Sequence, residues 1–318
     1  MSHTPESADE DQTPEAHEEP LHGRFAFAVG TVGTTILSDG SCRMDGGSFF
    51  GRVPRVLWER LVPPDHLNRV PCALNSVLLE TEAGLLLLET GYGNKLTEKT
   101  IRNFAIERPD GTLLDQLARL GIAPEDIQMV VNTHLHADHC GWNTRRLEDG
   151  RVVPTFPNAR YLFQKEEWEA AIHPDELVAA TYLAENLDPL REAGVVDLIE
   201  GDLRLTPQVR LVLTPGHTVA HQSVWIESGS SGREAAALFS GDAVVHGVML
   251  ERLAWVPSVD DLPHVSLATK KRLIEESLRR QAHLIVTHHP FPGLGILARD
   301  AAGKVHFHAH HYHHTYGQ

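Results

Sequence analysis

The chain has 318 residues, 42% of them hydrophobic, and a net charge of −15, enough apolar material for a sizeable core and an acidic balance that argues against nucleic acid as a partner. No apolar run reaches the roughly eighteen residues that a membrane span needs, and the N-terminus lacks the basic-then-apolar order of a signal peptide. Three cysteines, Cys42, Cys72 and Cys140, are too few and odd in number for a disulfide framework, so a reducing cytoplasm is the expected compartment.

Residues 1–22 hold seven acids, no Lys or Arg and almost no large apolar side chain. Such a segment cannot bury enough surface to offset its ordering entropy, so an acidic disordered tail is expected, followed by one domain over 23–318. Short apolar runs bounded by turn residues predict strands at 75–80, 85–89, 129–133, 160–163, 209–213, 223–227, 237–240 and 284–287. Helical spacing covers 112–120, where Leu113, Leu114, Leu117 and Leu120 share a face and Gly121 supplies the stop. It returns at 166–172 and 267–281. Strand pairs interleaved with helices predict an α+β chain of two packed sheets with helices outside. The last stretch, 305–318, carries six histidines (His306, His308, His310, His311, His313, His314). It is either a weak site for stray metal or a strand with a solvated histidine face, and no catalytic role is assigned to it.

The segment Asn132-Thr133-His134-Leu135-His136-Ala137-Asp138-His139-Cys140-Gly141 follows a predicted apolar strand. Its polar cluster therefore falls on the loop leaving a sheet, where irregular backbone can aim several side chains at one point. His134 and His136 can face one metal, and Asp138 and His139 can turn toward a second. Neutral imidazole and carboxylate suit zinc and related divalent ions. Any single histidine in a chain with 21 of them is more simply a surface residue. Four candidate ligands within six residues after a buried strand are not explained that way. Three further candidates, His217, Asp242 and His288, each end a predicted strand, in Pro215-Gly216-His217-Thr218, Ser240-Gly241-Asp242 and Thr287-His288-His289-Pro290. Cys140 is read as a small buried residue rather than a ligand.

The Thr-His-x-His-x-Asp-His motif, the later Pro-Gly-His-Thr, the Gly-Asp and the last strand-His resemble the metallo-β-lactamase superfamily over about residues 25–300. That resemblance implies an αββα four-layer sandwich with two divalent ions at one edge: zinc first, manganese, iron or cobalt as alternatives. It implies His134, His136 and His217 on one ion, Asp138, His139 and His288 on the other, and Asp242 between them. His289 is then a neighbour of the site. A β-lactamase proper uses Cys where this chain has Asp242, which speaks against antibiotic hydrolysis.

The stretch Met44 to Pro54 with Leu57-Trp58 resembles YtnP-like quorum-quenching lactonases and the methyl parathion hydrolase group, and Leu88 to Lys99 is similar to the former. The implied activity is opening of N-acyl-homoserine lactones or related esters by a metal-bridging hydroxide, with Asp138 relaying a proton to the leaving alkoxide. The alternative is organophosphate triester hydrolysis, including as a promiscuous activity. Family lactonases often carry a Tyr three residues after the bridging Asp, where this chain has Val245. The following His246 is either a hydrogen-bond donor to substrate or a packed residue. Phe49, Phe50 and Trp58 line either an apolar substrate mouth or the core. The expected partner is a small lactone or ester, and a homodimer is compatible with the reading.

Overall fold

The computed structural model describes residues 23–228 and 235–310; the expected acidic tail and His311, His313 and His314 lie outside them. In chain order the strands are β1 Arg24–Val29, β2 Val32–Asp45, β3 Arg69–Thr81, β4 Gly84–Leu88, β5 Ile127–Val131, β6 Thr144–Arg146, β7 Val152–Pro154, β8 Arg160–Gln164, β9 Val196–Ile199, β10 Leu203–Arg204, β11 Val209–Leu213, β12 Gln222–Ser228, β13 Ala235–Phe239, β14 His283–Ile285, β15 Leu294–Arg299 and β16 Val305–Ala309. The helices are α1 Gly46–Phe50, α2 Arg55–Trp58, α3 Glu98–Asn103, α4 Leu113–Arg119, α5 Lys165–Ile172, α6 Ala184–Ala193, α7 Val248–Glu251 and α8 Pro263–Arg280.

Two seven-stranded sheets form, ordered β1-β2-β3-β4-β5-β8-β9 and β10-β11-β12-β13-β14-β15-β16, with β6-β7 as a separate hairpin. The strand periodicity of two sorts side chains to the two faces. Val77 and Leu79 of β3, Leu86 and Leu88 of β4 and Val131 of β5 meet Leu211, Val224, Ile226, Phe239 and Ile285 of the other sheet in one buried cluster. Their alternates Leu78, Leu87 and Val130 face outward onto Leu113 and Leu117 of α4, Trp168 of α5 and Leu187 of α6. On the far side, Trp225 and Leu238 pack with Leu273 of α8. The layering is therefore helix, sheet, sheet, helix, the αββα sandwich expected.

The Thr112 side chain caps α4 with a reciprocal bond from Asp115, which explains why that helix starts where the sequence places it. The region before residue 69 is a correction: no strand was expected there, yet β2 runs fourteen residues. Its Ser-Asp-Gly-Ser segment forms a bulge between Ser38 and Ser41 within the ladder. The strands predicted to reach 133, 240 and 287 stop at Val131, Phe239 and Ile285, because the residues beyond peel away into the loops described next. Helix α8 begins at Pro263, a turn before the expected 267, with Pro in the first turn. Among the described residues no helix is long and apolar enough to cross a membrane.

Candidate metal centre

Three loops leave the ends of β5, β11 and β13, and a fourth follows β14; together they gather all seven candidate ligands. His134, His136 and His217 bring one ligand atom each within 4.8 Å of one another, and so do Asp138, His139 and His288. Asp242 lies between the groups: Oδ2 is 3.4 Å from His217 Nε2 and 3.5 Å from His139 Nε2, and Oδ1 is 3.3 Å from His288 Nε2. The His136 and His217 rings approach at 3.2 Å, as do those of His139 and His288.

Imidazoles this close need their rings fixed, and in four of the five the nitrogen away from the cluster faces a polar group. His217 Nδ1 is 2.9 Å from Asp260 Oδ1, His288 Nδ1 is 2.8 Å from the Ala73 carbonyl, and His134 Nδ1 is 3.0 Å from Thr133 Oγ1. His139 Nδ1 faces Glu89 at 3.4 Å. Glu89 itself sits in left-handed backbone at φ 61°, which turns its carboxylate to accept from Asn132 Nδ2 and the Thr133 N–H at 3.1 and 3.0 Å. These partners orient the rings they touch, the outer-sphere arrangement of metal-bound histidines. His134 Nε2 is buried with no hydrogen-bond partner, an orphan that an ion satisfies. The donor set and this orphan fit divalent metal.

Asp242 is held from behind: its N–H donates to His221 Nε2 at 3.0 Å, and His221 Nδ1 is 2.8 Å from Thr214 Oγ1. Gly241, at φ 53°, permits the approach, since a Cβ there would stand 2.5 Å from Thr133 and 2.6 Å from His221. Burial and the neighbouring imidazoles push His134 and His136 well below the ordinary histidine pKa. Burial opposes charge on His139 and His288 too, but Asp242 and Asp138 outweigh it and raise both, His288 to about 9. Burial raises the Asp242 carboxyl, but His288, His139 and His217 overcome that and hold it well below the carboxylate range.

Other sequence candidates fall elsewhere. Cys140 is buried among core residues and its thiol donates to the Leu135 carbonyl at 3.3 Å. Phe50 and Trp58 stack with ring centroids 4.7 Å apart inside a buried cluster that includes Phe49 and Val245, so these aromatics are core, not an open mouth. His246 accepts the Val248 N–H at Nδ1, 3.2 Å, leaving the proton on Nε2, 3.3 Å from His289 Nδ1. Its ring lies 6.0 Å from that of Phe49. Burial, then His289 and His288, lower its pKa to about 3, so it is a neutral N–H donor. Sequence reading missed Asp260 and His221. Neither stands in a motif, and Asp260 is 43 residues from the histidine it holds.

A family model for the metallo-beta-lactamase superfamily matches residues 69–289. The chain is 31% identical over 225 residues to N-acyl homoserine lactonase AiiA of Bacillus thuringiensis subsp. kurstaki, spanning 67% of this chain and 79% of that protein. A structure described as a probable metal-dependent hydrolase from Staphylococcus aureus superposes with TM-score 0.76 at 27% identity, covering 85% of this chain and 94% of that one. AidC, a dizinc quorum-quenching lactonase solved with N-hexanoyl-L-homoserine, shares the fold at TM-score 0.74 and 22% identity over 92% of this chain and 99% of its own. With the ligand-bearing loops all inside the matched span, the chain belongs to the metallo-β-lactamase superfamily.

Proposed function

We propose that this protein is a dinuclear metal-dependent hydrolase that opens N-acyl homoserine lactones or closely related esters, with zinc as the resident metal. The observation that carries the reading is Asp242, whose two oxygens face His217 and His139 on one side and His288 on the other at 3.3 to 3.5 Å. The 31% identity to a lactonase over two thirds of the chain supports the substrate class. Two divalent ions bound there supply an activated water near neutral pH and a Lewis acid for the carbonyl oxygen.

The residues divide the remaining work. His134, His136 and His217 would hold one ion and Asp138, His139 and His288 the other, with Asp242 placed to serve both. Glu89, Asp260, Thr133 and the Ala73 carbonyl keep the rings aimed, so little reorganisation accompanies the reaction. Asp138 is partly exposed, 3.6 Å from His288 Nε2 and 3.7 Å from His139 Nε2, and from that rim it passes a proton to the leaving alkoxide. Val245 is buried and its side chain carries no donor, which leaves the Nε2–H of the adjacent His246 as the donor offered to the substrate carbonyl. Three buried free cysteines favour a reducing, cytoplasmic setting.

The test is acid release from a panel of acyl-homoserine and aliphatic lactones beside a phosphotriester, using protein of counted metal content and an Asp242→Asn control. Efficient lactone opening with a dead control supports the reading. Intact lactones with a cleaved phosphotriester move the substrate class while leaving the metal centre standing.

A further inference from the structure

Glu167 belongs to no motif, yet on α5 it is only 1% exposed. A carboxylate at that depth costs free energy unless its oxygens are paired. Oε1 accepts the Leu135 N–H at 2.9 Å and the Tyr182 hydroxyl at 3.2 Å, and Oε2 accepts the Thr218 hydroxyl at 2.5 Å. Leu135 is the residue between His134 and His136, and Thr218 follows His217. The Tyr182 ring packs on His136 with centroids 5.1 Å apart.

The two loops leave different sheets, one after β5 and the other after β11, so their separation depends on how the sheets pack. A metal tolerates ligand placement errors of only about 0.5 Å. We infer that Glu167 is a positioning residue for the first metal, a single carboxylate that ties the His134–His136 loop to the His217 turn and sets their spacing. The inference rests on the dinuclear reading above. Glu167 touches no candidate ligand side chain directly and acts through the backbone and hydroxyl next to them. No hydrogen bond runs from it to Asp138, His139 or His288, and of the two loops it ties only the His217 turn is free of second-site ligands, so its effect falls mainly on the first site.

The experiment reads each site alone by Co2+ titration of metal-free protein, followed by visible absorption and chelator competition. A His288→Ala background leaves the first group intact, and a His217→Ala background leaves the second. Glu167→Ala is expected to weaken Co2+ binding ~10–100-fold in the first background and less than ~3-fold in the second, the range usual for a lost outer-sphere partner. Glu167→Gln keeps an oxygen for Leu135 and an amide for Thr218, and restores affinity to within ~3-fold. Equal weakening in both backgrounds, no weakening in the first, or a Gln variant no better than Ala overturns the proposal. Where Glu167→Ala does not fold, Thr218→Val removes one contact and is expected to weaken the first site ~3–10-fold; an unchanged affinity there overturns it equally. Should the otherwise unaltered protein bind no Co2+, the dinuclear reading itself fails, a result separate from any effect of Glu167.

Discussion

In the first ligand group burial and neighbouring imidazoles keep His134 and His136 well below the ordinary histidine pKa, whereas in the second the carboxylates around His139 and His288 outweigh burial and raise both. All four are buried, so depth does not separate them. What separates them is that carboxylates outweigh burial at His139 and His288 and do not at His134 and His136. His217 makes the point within the first group: burial opposes its charge, but Asp242 and Asp260 prevail and raise it. The groups also differ in their supports, with Asp260 behind the first and a main-chain carbonyl behind the second, while Glu89 serves both, facing His139 and accepting from the Thr133 hydroxyl beside His134.

The largest expected effect comes from the residue both groups share. Asp242→Asn removes charge from all three facing imidazoles, and lactone hydrolysis should fall at least ~10³-fold, a loss of about 4 kcal/mol of transition-state stabilisation. Steady-state rates with metal counted per chain measure it; a variant that keeps full rate and two metals would show that the groups do not work as one centre. Next in size is metal removal. Free Zn2+ at about one hundred times its dissociation constant should stabilise the fold by about 2.7 kcal/mol per site, seen as a melting temperature that climbs with added metal. An unchanged melt would dissociate the cluster from metal binding.

The supports sharpen the contrast between the groups. Asp260→Asn should weaken metal at the first site alone, whereas Glu89→Gln, which faces His139 and also holds the Thr133 hydroxyl behind His134, should weaken both, each about 10–100-fold, read by competition with a chromophoric chelator. If Asp260→Asn weakened the second site as much as the first, the division into two groups would be wrong. The smallest effect concerns Lys95, whose ammonium donates to the carbonyls of Gly141 and Thr144 just beyond the second group's His139. Burial lowers its pKa to about 8 from 10.5. The unfolded chain therefore binds this proton more tightly, and the stability cost is full below pH 8 and relieved as pH rises toward 10.5. Relative to Lys95→Met, the parent protein should gain on the order of 1–3 kcal/mol across that interval in denaturant titrations; a difference flat with pH would refute the buried-ammonium account.

Much of the fold was legible because periodicity reports each residue's own burial. Strand β11 appears with the expected limits, and α4 and α5 fall within one residue of theirs. What escaped included β1, β2, β9, β15 and helix α6, together with the ends of strands that lead into the site. There Asn132 and Thr133 exchange ladder partners for the Glu89 carboxylate, a choice no local pattern announces.

The sequence by itself determined the chemistry on offer: donors packed within one six-residue loop and at three later strand ends, each preceded by an apolar run that forces the strand inside. Only the tertiary structure decided how those donors are aimed. Asp260, His221 and Glu167 are ordinary polar letters in the chain, and Glu89 stands out only by its place in Glu89-Thr90-Gly91, where the superfamily usually has Asp-Thr-Gly. They reach His217, Asp242, His139 and the two histidine loops only once the sheets have packed face to face, since contacts across tens of residues are set by that packing and not by spacing along the chain.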